Sequence, residues 1–443
     1  MRRLLTIAIS ALALVSAGAG RTQLLPAPIG SLPGQVIDGV LGSTAQHTVP
    51  AANGVVDTLG LDRVSEGLGS GSLLEMRRSR LRALVRENRS TLEADPDGNP
   101  VRRGQLIAID PTADLLRKAR AAGFTILQDG RIEGLEIGMV IFGAPRGDTG
   151  KEALKRLRRL DPRGQFDYNH VFEPAGGALA ASALALAAAG EASGGSPIGM
   201  IDGGVAAHPA LAGASIEQRG FVPGAPRASG HGTAVASLLV GRDGPFKGAA
   251  GGRRLLAADI YGGEPAAGSA DAMARAIGWL AASGARVINI SLVGPPNRLM
   301  QRAVEAARAH GLTIVAAVGN DGPAAPRQYP ASYPGVVAVT GVDDRDRALA
   351  EAGRAEHLDF AAPGADMAAA LPGRGYAEVR GTSFAAPLVA ARFAAAAGDA
   401  DMRFTSVVKE ALPGRGRIGR GIVCKACRID PHDVDAKKQA GAG

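Results

Sequence analysis

The sequence predicts an α/β chain whose main domain is a doubly wound, mostly parallel sheet with helices on both faces, preceded by a small α+β unit of βαββαβ order. Three observations carry this. From Pro197 onward, short uninterrupted apolar runs alternate with helical patterns, as strands buried on both faces of a parallel sheet require. Between Val101 and Pro174, strand-like and helical runs alternate in the order βαββαβ. At 443 residues and 46% hydrophobic, the chain can build more than one core.

Taken in order, residues 1–19 read as a signal peptide: Arg2 and Arg3 precede the apolar run Leu4 to Val15, and Ala17-Gly18-Ala19 supplies small residues for cleavage. That run falls short of the roughly 20 residues a bilayer span needs, so no stable anchor is expected after cleavage. An exported product, periplasmic or released, follows. Residues 20–100 form a leader, first rich in Gly, Pro, Ala and Ser, then amphipathic and helical from Leu73 to Leu92 with six arginines. No aromatic residues interleave with those arginines for base stacking, so they read as a solvated helix face. The net charge of +8 is spread over both halves of the chain, and no nucleic-acid partner is expected.

Residues 101–174 make the smaller unit. Gln105 to Ile109 is strand-like, Thr112 to Ala122 helical, Phe124 to Leu127 a strand, Ile132 to Phe142 a third strand, Lys151 to Leu160 a basic helix, and Phe166 to Phe172 a final strand. This is the ferredoxin-like order, with helices on one face of an antiparallel sheet. Residues 175–423 make the larger domain. Its strands are expected at Ile198 to Ile201, Arg254 to Ala258, Val287 to Ile290, Ile314 to Val318 and Val336 to Val339. Helices are expected at Thr233 to Val240, Ala270 to Ala282, Leu299 to Ala309 and Ser383 to Ala397. The tail 424–443 holds the only cysteines, Cys424 and Cys427. A lone pair cannot supply a four-thiolate zinc site, and in an oxidising compartment it reads as a local disulfide.

The residues that carry chemistry fall at strand ends and helix starts, where sites assemble in open α/β sheets. A serine nucleophile needs an imidazole to take its proton, a carboxylate to orient that imidazole, and donors for the oxyanion. Asp202 ends the buried run Ile198 to Ile201. His231 sits between glycines in Ser229-Gly230-His231-Gly232-Thr233, which lets backbone approach closely. Ser383 lies in Gly381-Thr382-Ser383-Phe384-Ala385-Ala386-Pro387, a glycine turn opening a helix, where free amides and the positive dipole end gather.

These blocks, Asp202-Gly203-Gly204-Val205 with His208-Pro209, Gly230-His231-Gly232-Thr233 and Gly381 to Pro387, resemble the signature blocks of the subtilisin-like serine proteases, in the same Asp, His, Ser order. The resemblance spans about Pro197 to Val423. It implies a subtilisin-like fold and a serine endopeptidase acting through an acyl-enzyme, with Asp202, His231 and Ser383 as the triad and Asn320, ending Ala316 to Gly319, as oxyanion donor. Ser291, Leu292, Val293 and Gly294 resemble one wall of the substrate cleft, and Ala316, Ala317, Val318 and Gly319 the other. Both walls lack charge, which favours an apolar or broad preference. Tyr329-Pro330 is a candidate cis peptide.

The resemblance further implies polypeptide substrates and an inhibitory propeptide in residues 101–174, cut from the chain somewhere between Phe172 and Gly195. No cofactor is required for the chemistry, and a monomer is expected. Structural calcium is frequent in the family, but no ligand run maps residue by residue; the acidic cluster Asp343, Asp344 and Asp346 reads as a solvated turn. One departure stands out: Gly203 follows the catalytic Asp where the family usually has Ser or Thr, which predicts a less firmly oriented Asp202. Two other classes stay open, an acyl transfer to an amine as in a peptide ligase or cyclase, and a non-catalytic binding module.

Overall fold

A computed structural model describes residues 69–175, 188–189 (backbone only) and 194–434. The expected signal peptide, the leader up to residue 68 and the last nine residues of the tail lie outside the described residues, as does most of the stretch in which the cut was expected.

The first described helix, α1 (Ser70–Glu87), leads into β1 (Leu92–Ala94) and β2 (Pro100–Ile109). After them come α2 (Ala113–Ala121), β3 (Thr125–Ile132), β4 (Ile137–Gly143), α3 (Gly150–Leu160) and β5 (Gln165–His170). All pairings are antiparallel, in the order β5-β2-β4-β3, with β1 beside the start of β2. Local chemistry sets the helix starts: Thr112 accepts from the Leu115 amide at 3.1 Å, and Thr149 with Glu152 forms a reciprocal capping box.

Three boundaries differ from expectation. The third strand does not run from Ile132, because Ile132 closes β3 and the chain reverses through Gly134 and Glu136, both at positive φ. The leader helix stops at Glu87, and Leu92 belongs to β1. The last strand leaves the sheet after His170, and the residues that follow go elsewhere, as described below.

The smaller sheet is buried on both sides, with period-two alternation along its strands. Leu106, Ala108, Val140 and Phe142 pack under α2 and α3 with Leu115, Leu154 and Leu157. Ile107, Ile109, Met139 and Ile141 face the other way, into a core shared with the larger domain. That shared core includes Met273 and Ile277 of α5 (Ala270–Ala282) and Met300 of α6 (Arg298–Ala309). Strand β5 adds polar joints at the helix starts, where backbone donors lack intrahelical partners. Asn169 accepts from the Asp271 amide at 3.3 Å, and Asp167 from the Arg298 amide at 2.8 Å.

Among the described residues, the larger sheet has eight strands. In chain order they are β7 (Ala188–Ala189), β8 (Ile198–Asp202), β9 (Ser215–Gly220), β12 (Leu255–Asp259), β13 (Val287–Ile290), β15 (Thr313–Ala317), β16 (Val337–Val342) and β17 (Phe360–Pro363). Their spatial order is 17-16-15-13-8-12-9-7, parallel throughout except at β7. Short pieces complete the set: β6 (Glu173–Pro174), β10 (Arg242–Asp243) with β11 (Phe246–Lys247), β14 (Leu292–Val293), and the hairpin of β18 (Met367–Leu371) and β19 (Gly375–Val379). Helices α4 (Gly230–Val240) and α7 (Thr382–Ala395) cover one face, and α5 and α6 the other; α8 (Ala400–Glu410) follows α7. Alternate residues of one strand serve the two cores: Leu255 and Ala257 of β12 face α4 and α7, Leu256 and Ala258 face α5 and α6.

The tail packs rather than trails. Cys424 and Cys427 are joined as a disulfide, and Ile429 and Val434 are buried in the core beneath α7. Asp343 is not in a solvated turn: it is mostly buried and accepts from the Arg345 and Arg347 amides and the Arg347 side chain. Lys425 pairs with Asp346 at 2.5 Å. With these carboxylates turned on cationic side chains and amides, the cluster does not fit a calcium cage, which needs six to eight oxygen ligands. Among the described residues, no helix is long and apolar enough to cross a membrane.

Candidate active site

Asp202 is the last residue of β8, a central strand, and His231 the second residue of α4, whose cap Ser229 accepts from the Gly232 amide at 2.8 Å. The two meet at 2.8 and 2.9 Å, His231 Nδ1–H donating to both carboxylate oxygens of Asp202, with both side chains buried. This holds the imidazole in the tautomer whose Nε2 is a free base. Asp202 Oδ1 also accepts from the Gly203 amide at 2.7 Å, so backbone orients the carboxylate without the hydroxyl the family usually carries. Glycine at 203 has a steric cause: a side chain there would collide with Ser229, the residue that caps the histidine helix. The looser Asp202 predicted from Gly203 is therefore not what the geometry offers.

Ser383 is the second residue of α7. The turn before it needs Gly381 at φ 140°, open only to glycine. Pro387 lies inside α7 and has no N–H to give the carbonyl four residues back, that of Ser383. Ser291 Oγ fills that role, donating to Ser383 O at 2.8 Å, and is itself held by Asn289 Nδ2 at 3.0 Å. A helix that would otherwise be weakened at its first turn is thus pinned to the neighbouring strand. Ser383 Oγ and His231 Nε2 are both buried and have no hydrogen-bond partner. Such unpaired buried groups are expected where a proton transfer is completed only with substrate in place.

Asn320 follows β15, and its Oδ1 accepts from the Thr382 amide at 3.0 Å, which fixes the flip of the side chain. Its Nδ2 donates to the carbonyl of Ala175 in a short hydrogen bond. The chain leaving β5 therefore fills this site. Ala175 N donates to Ser291 O at 2.9 Å, β6 pairs antiparallel with β14 (Leu292 opposite Pro174, Val293 opposite Glu173), and Phe172 packs its ring on Gly294. On the strand's other side Phe172 N donates to Gly268 O at 2.7 Å, its carbonyl accepts from Tyr261 Oη at 2.9 Å, and Val171 bridges Ser269. Residues 171–175 are a middle strand between two walls, the strand-addition mode of peptide recognition.

Of the predicted walls, Ser291 to Gly294 contact this strand directly. Ala317 is buried in the cluster that also holds Ala175, and Ala316 and Val318 in the one that also holds Phe172. Gly319 faces the cleft region, its Cα direction aimed at Val293 and Gln328, and its amide is held by Thr382 Oγ1 at 3.1 Å. No motif marks Tyr261 or Gly268, which hold the inserted strand through a phenol and a backbone carbonyl, and Thr382, though inside the serine block, has a role its motif does not reveal: its hydroxyl accepts from the Gly319 amide. Tyr329-Pro330 is cis, as expected. His208 instead ties the β18–β19 hairpin, its Nε2–H donating to Gly375 O at 2.8 Å, and burial pushes its pKa down, which keeps it neutral.

Residues 193–410 match the model of the subtilase family. Subtilisin Savinase of Lederbergia lenta is 34% identical over 202 residues, 44% of this chain and 72% of that protein. Thermitase of Thermoactinomyces vulgaris is 34% identical over 204 residues, again 44% of this chain and 72% of that one. The alkaline protease of Shouchella clausii is matched over 51% of its length at 34% identity. In fold, the chain is similar to fervidolysin of Fervidobacterium pennivorans at a TM-score of 0.61 and 20% identity, over 74% of this chain and 61% of that one. That share is larger than residues 194–443 alone can supply, so the likeness in fold reaches into the N-terminal part. Sequence, fold and the polar geometry at the strand ends agree, and the chain belongs to the subtilase family of serine endopeptidases, which act on polypeptides.

Proposed function

We propose that this protein is exported as a zymogen and that its first substrate is itself, cut by Ser383 at the bond between Ala175 and Gly176. The observation that carries this is the pose of Ala175, its carbonyl on Asn320 Nδ2 and its amide on Ser291 O, where a scissile residue has to be held. Export rests on the basic start and apolar run at residues 2–15.

Ser383 Oγ attacks the Ala175 carbonyl carbon while His231 Nε2 takes the hydroxyl proton. Asp202 keeps the imidazolium oriented and compensates its charge through Nδ1–H. The carbonyl oxygen becomes an oxyanion and keeps the Asn320 hydrogen bond, which strengthens as charge develops; the Ser383 amide, in the first turn of α7, is the second donor. Collapse breaks the bond to the Gly176 nitrogen, which receives the proton from His231. Water, deprotonated by His231, then releases Ala175 from Ser383. Until the cut segment leaves, it blocks the cleft; afterwards other polypeptides bind as the same middle strand.

Intact mass and N-terminal sequence of wild type beside Ser383→Ala test this. A new N-terminus at Gly176 in wild type only is expected, with the rate in the variant down by about 10⁶-fold. A cut at another bond, or an equal cut in the variant, refutes it.

A further inference from the structure

Helix α1 has no counterpart in the βαββαβ unit, yet it lies over the occupied cleft. Two of its five arginines, read from the sequence as solvated, reach the larger domain instead. Arg77 is 9% exposed, and its Nε is 3.2 Å from Asp321 Oδ2. Arg80 donates Nη2 to Asp321 Oδ1 at 3.0 Å and, through Nε and Nη2, to both oxygens of Glu173 at 3.3 and 3.4 Å. Glu173 sits two residues before Ala175, and Asp321 is the residue after Asn320. One guanidinium thus ties the inserted strand to the cleft rim next to the oxyanion donor. Apolar contacts set the helix in place: Leu73 lies against Gly322, and Leu84 joins Leu92, Val171 and Ala266.

We propose that α1 is a staple that retains the cut N-terminal segment in the cleft, with Arg80 the bridging residue, Arg77 its support, and Glu173 and Asp321 the two anchors. This rests on the reading that the bond after Ala175 is the one cut. Before the cut the chain itself holds residues 171–175 in register. After it, their carboxyl end is free, and what keeps them seated is strand pairing, the shared core and this bridge. Asp321 is 7% exposed with α1 in place, so the guanidinium groups of Arg77 and Arg80 meet it largely out of water, where screening by salt is weaker than at an open surface. Glu173 and Arg80 are on the departing side and Asp321 on the remaining side, which makes the contact separable by mutation from either partner.

The test has two arms. In the uncut Ser383→Ala chain, amide hydrogen exchange over residues 70–87 is compared between the Arg80 parent and Arg80→Met, which keeps the stem but not the charge. Exchange about tenfold faster in Arg80→Met is expected, since Arg80 is partly open to solvent and its ion pairs are partly screened. Raising sodium chloride from about 0.05 M to about 0.5 M should speed α1 exchange in the parent and have a smaller effect in Arg80→Met, where only the Arg77–Asp321 pair remains.

In the active chain, the lag before hydrolysis of an added peptide should shorten about tenfold in Arg80→Met and in Asp321→Asn, and Arg80→Lys should restore part of it. A purely packing role would show no salt effect and no rescue by lysine. Exchange and lag equal to the parent's at low salt overturn the staple. If α1 exchange responds but no cut appears after Ala175, the self-cutting reading falls and the bridge stands as a contact of the uncut chain.

Discussion

Two sheets lie side by side in this molecule and have both faces buried, but they are completed differently. The larger sheet is covered by its own helices, α4 and α7 on one side and α5 and α6 on the other. The smaller sheet covers one face with its own α2 and α3 and borrows α5 and α6 for the other, through Ile107, Ile109, Met139 and Ile141. A sheet that borrows half its core is complete only while docked. The polar residues divide in the same way. Those of the larger sheet lie at strand ends and converge on Ser383; Asp167 and Asn169 of the smaller one cap helices that belong to its neighbour. The first set should therefore govern rate and the second set residence.

The largest effect expected from this contrast is on rate. Asn320→Ala should slow self-cutting and peptide hydrolysis by about 10²- to 10³-fold, about 3 to 4 kcal/mol of transition-state stabilisation, with little change in Tm. An equal loss of stability and rate would break the division. Next comes a substitution whose sign depends on docking. A methyl at Gly278 of α5 would run into the Glu133 carbonyl and lie 2.7 Å from Ile132 Cγ2. Gly278→Ala should weaken docking by about 1 to 3 kcal/mol. In the enzyme freed of residues 69–175, the same change should stabilise by about 0.5 to 1 kcal/mol. Paired melts of the Ser383→Ala chain and of the mature enzyme read both signs.

A smaller effect is expected from Ile107→Val, which removes one buried methylene from the borrowed face. About 0.5 to 1.5 kcal/mol of docking should be lost, measured as weaker inhibition of the cut enzyme, with kcat after full maturation unchanged. The smallest concerns Asp95, in the turn between β1 and β2. Burial alone would raise its pKa, but hydrogen bonds from His170 Nε2 and from the Asn99 side chain and amide more than offset that and leave it below the ordinary 3.8. A carboxyl depressed in the folded state contributes stability that is present above 3.8 and lost as the pH falls through its folded pKa. Dissociation of the smaller sheet should steepen below that pH, and Asp95→Asn should flatten the dependence.

Much of this was legible in the sequence because it is written locally. The runs at Ile198, Val287 and Ile314 are strands because continuous apolar runs can be buried only between two layers. Asp202, His231 and Ser383 announce themselves through glycines and helix starts within a few residues. Arg80 shows the limit. Its partners, Glu173 and Asp321, are 93 and 241 residues away, and a helical pattern rich in arginine looks solvated until something is placed against it. Ile132 reads as the start of the third strand because the segment from Glu133 to Glu136 does not interrupt the apolar pattern, whereas in the fold it closes β3 before a turn that Gly134 permits. The Ala175 pose depends on where β5 ends, which is set by the docking of two domains.

The strand from Val171 to Ala175 enters the cleft as part of the same chain as Ser383, and this changes how its occupancy scales. While the connection is intact, occupancy is intramolecular, at an effective concentration near the millimolar range and independent of how much protein is present. Once the bond after Ala175 is broken, the same contacts obey mass action between two molecules. On the proposed cut, inhibition by the freed segment should therefore grow with protein concentration and fall on dilution, so that dispersal into a larger volume would itself release activity.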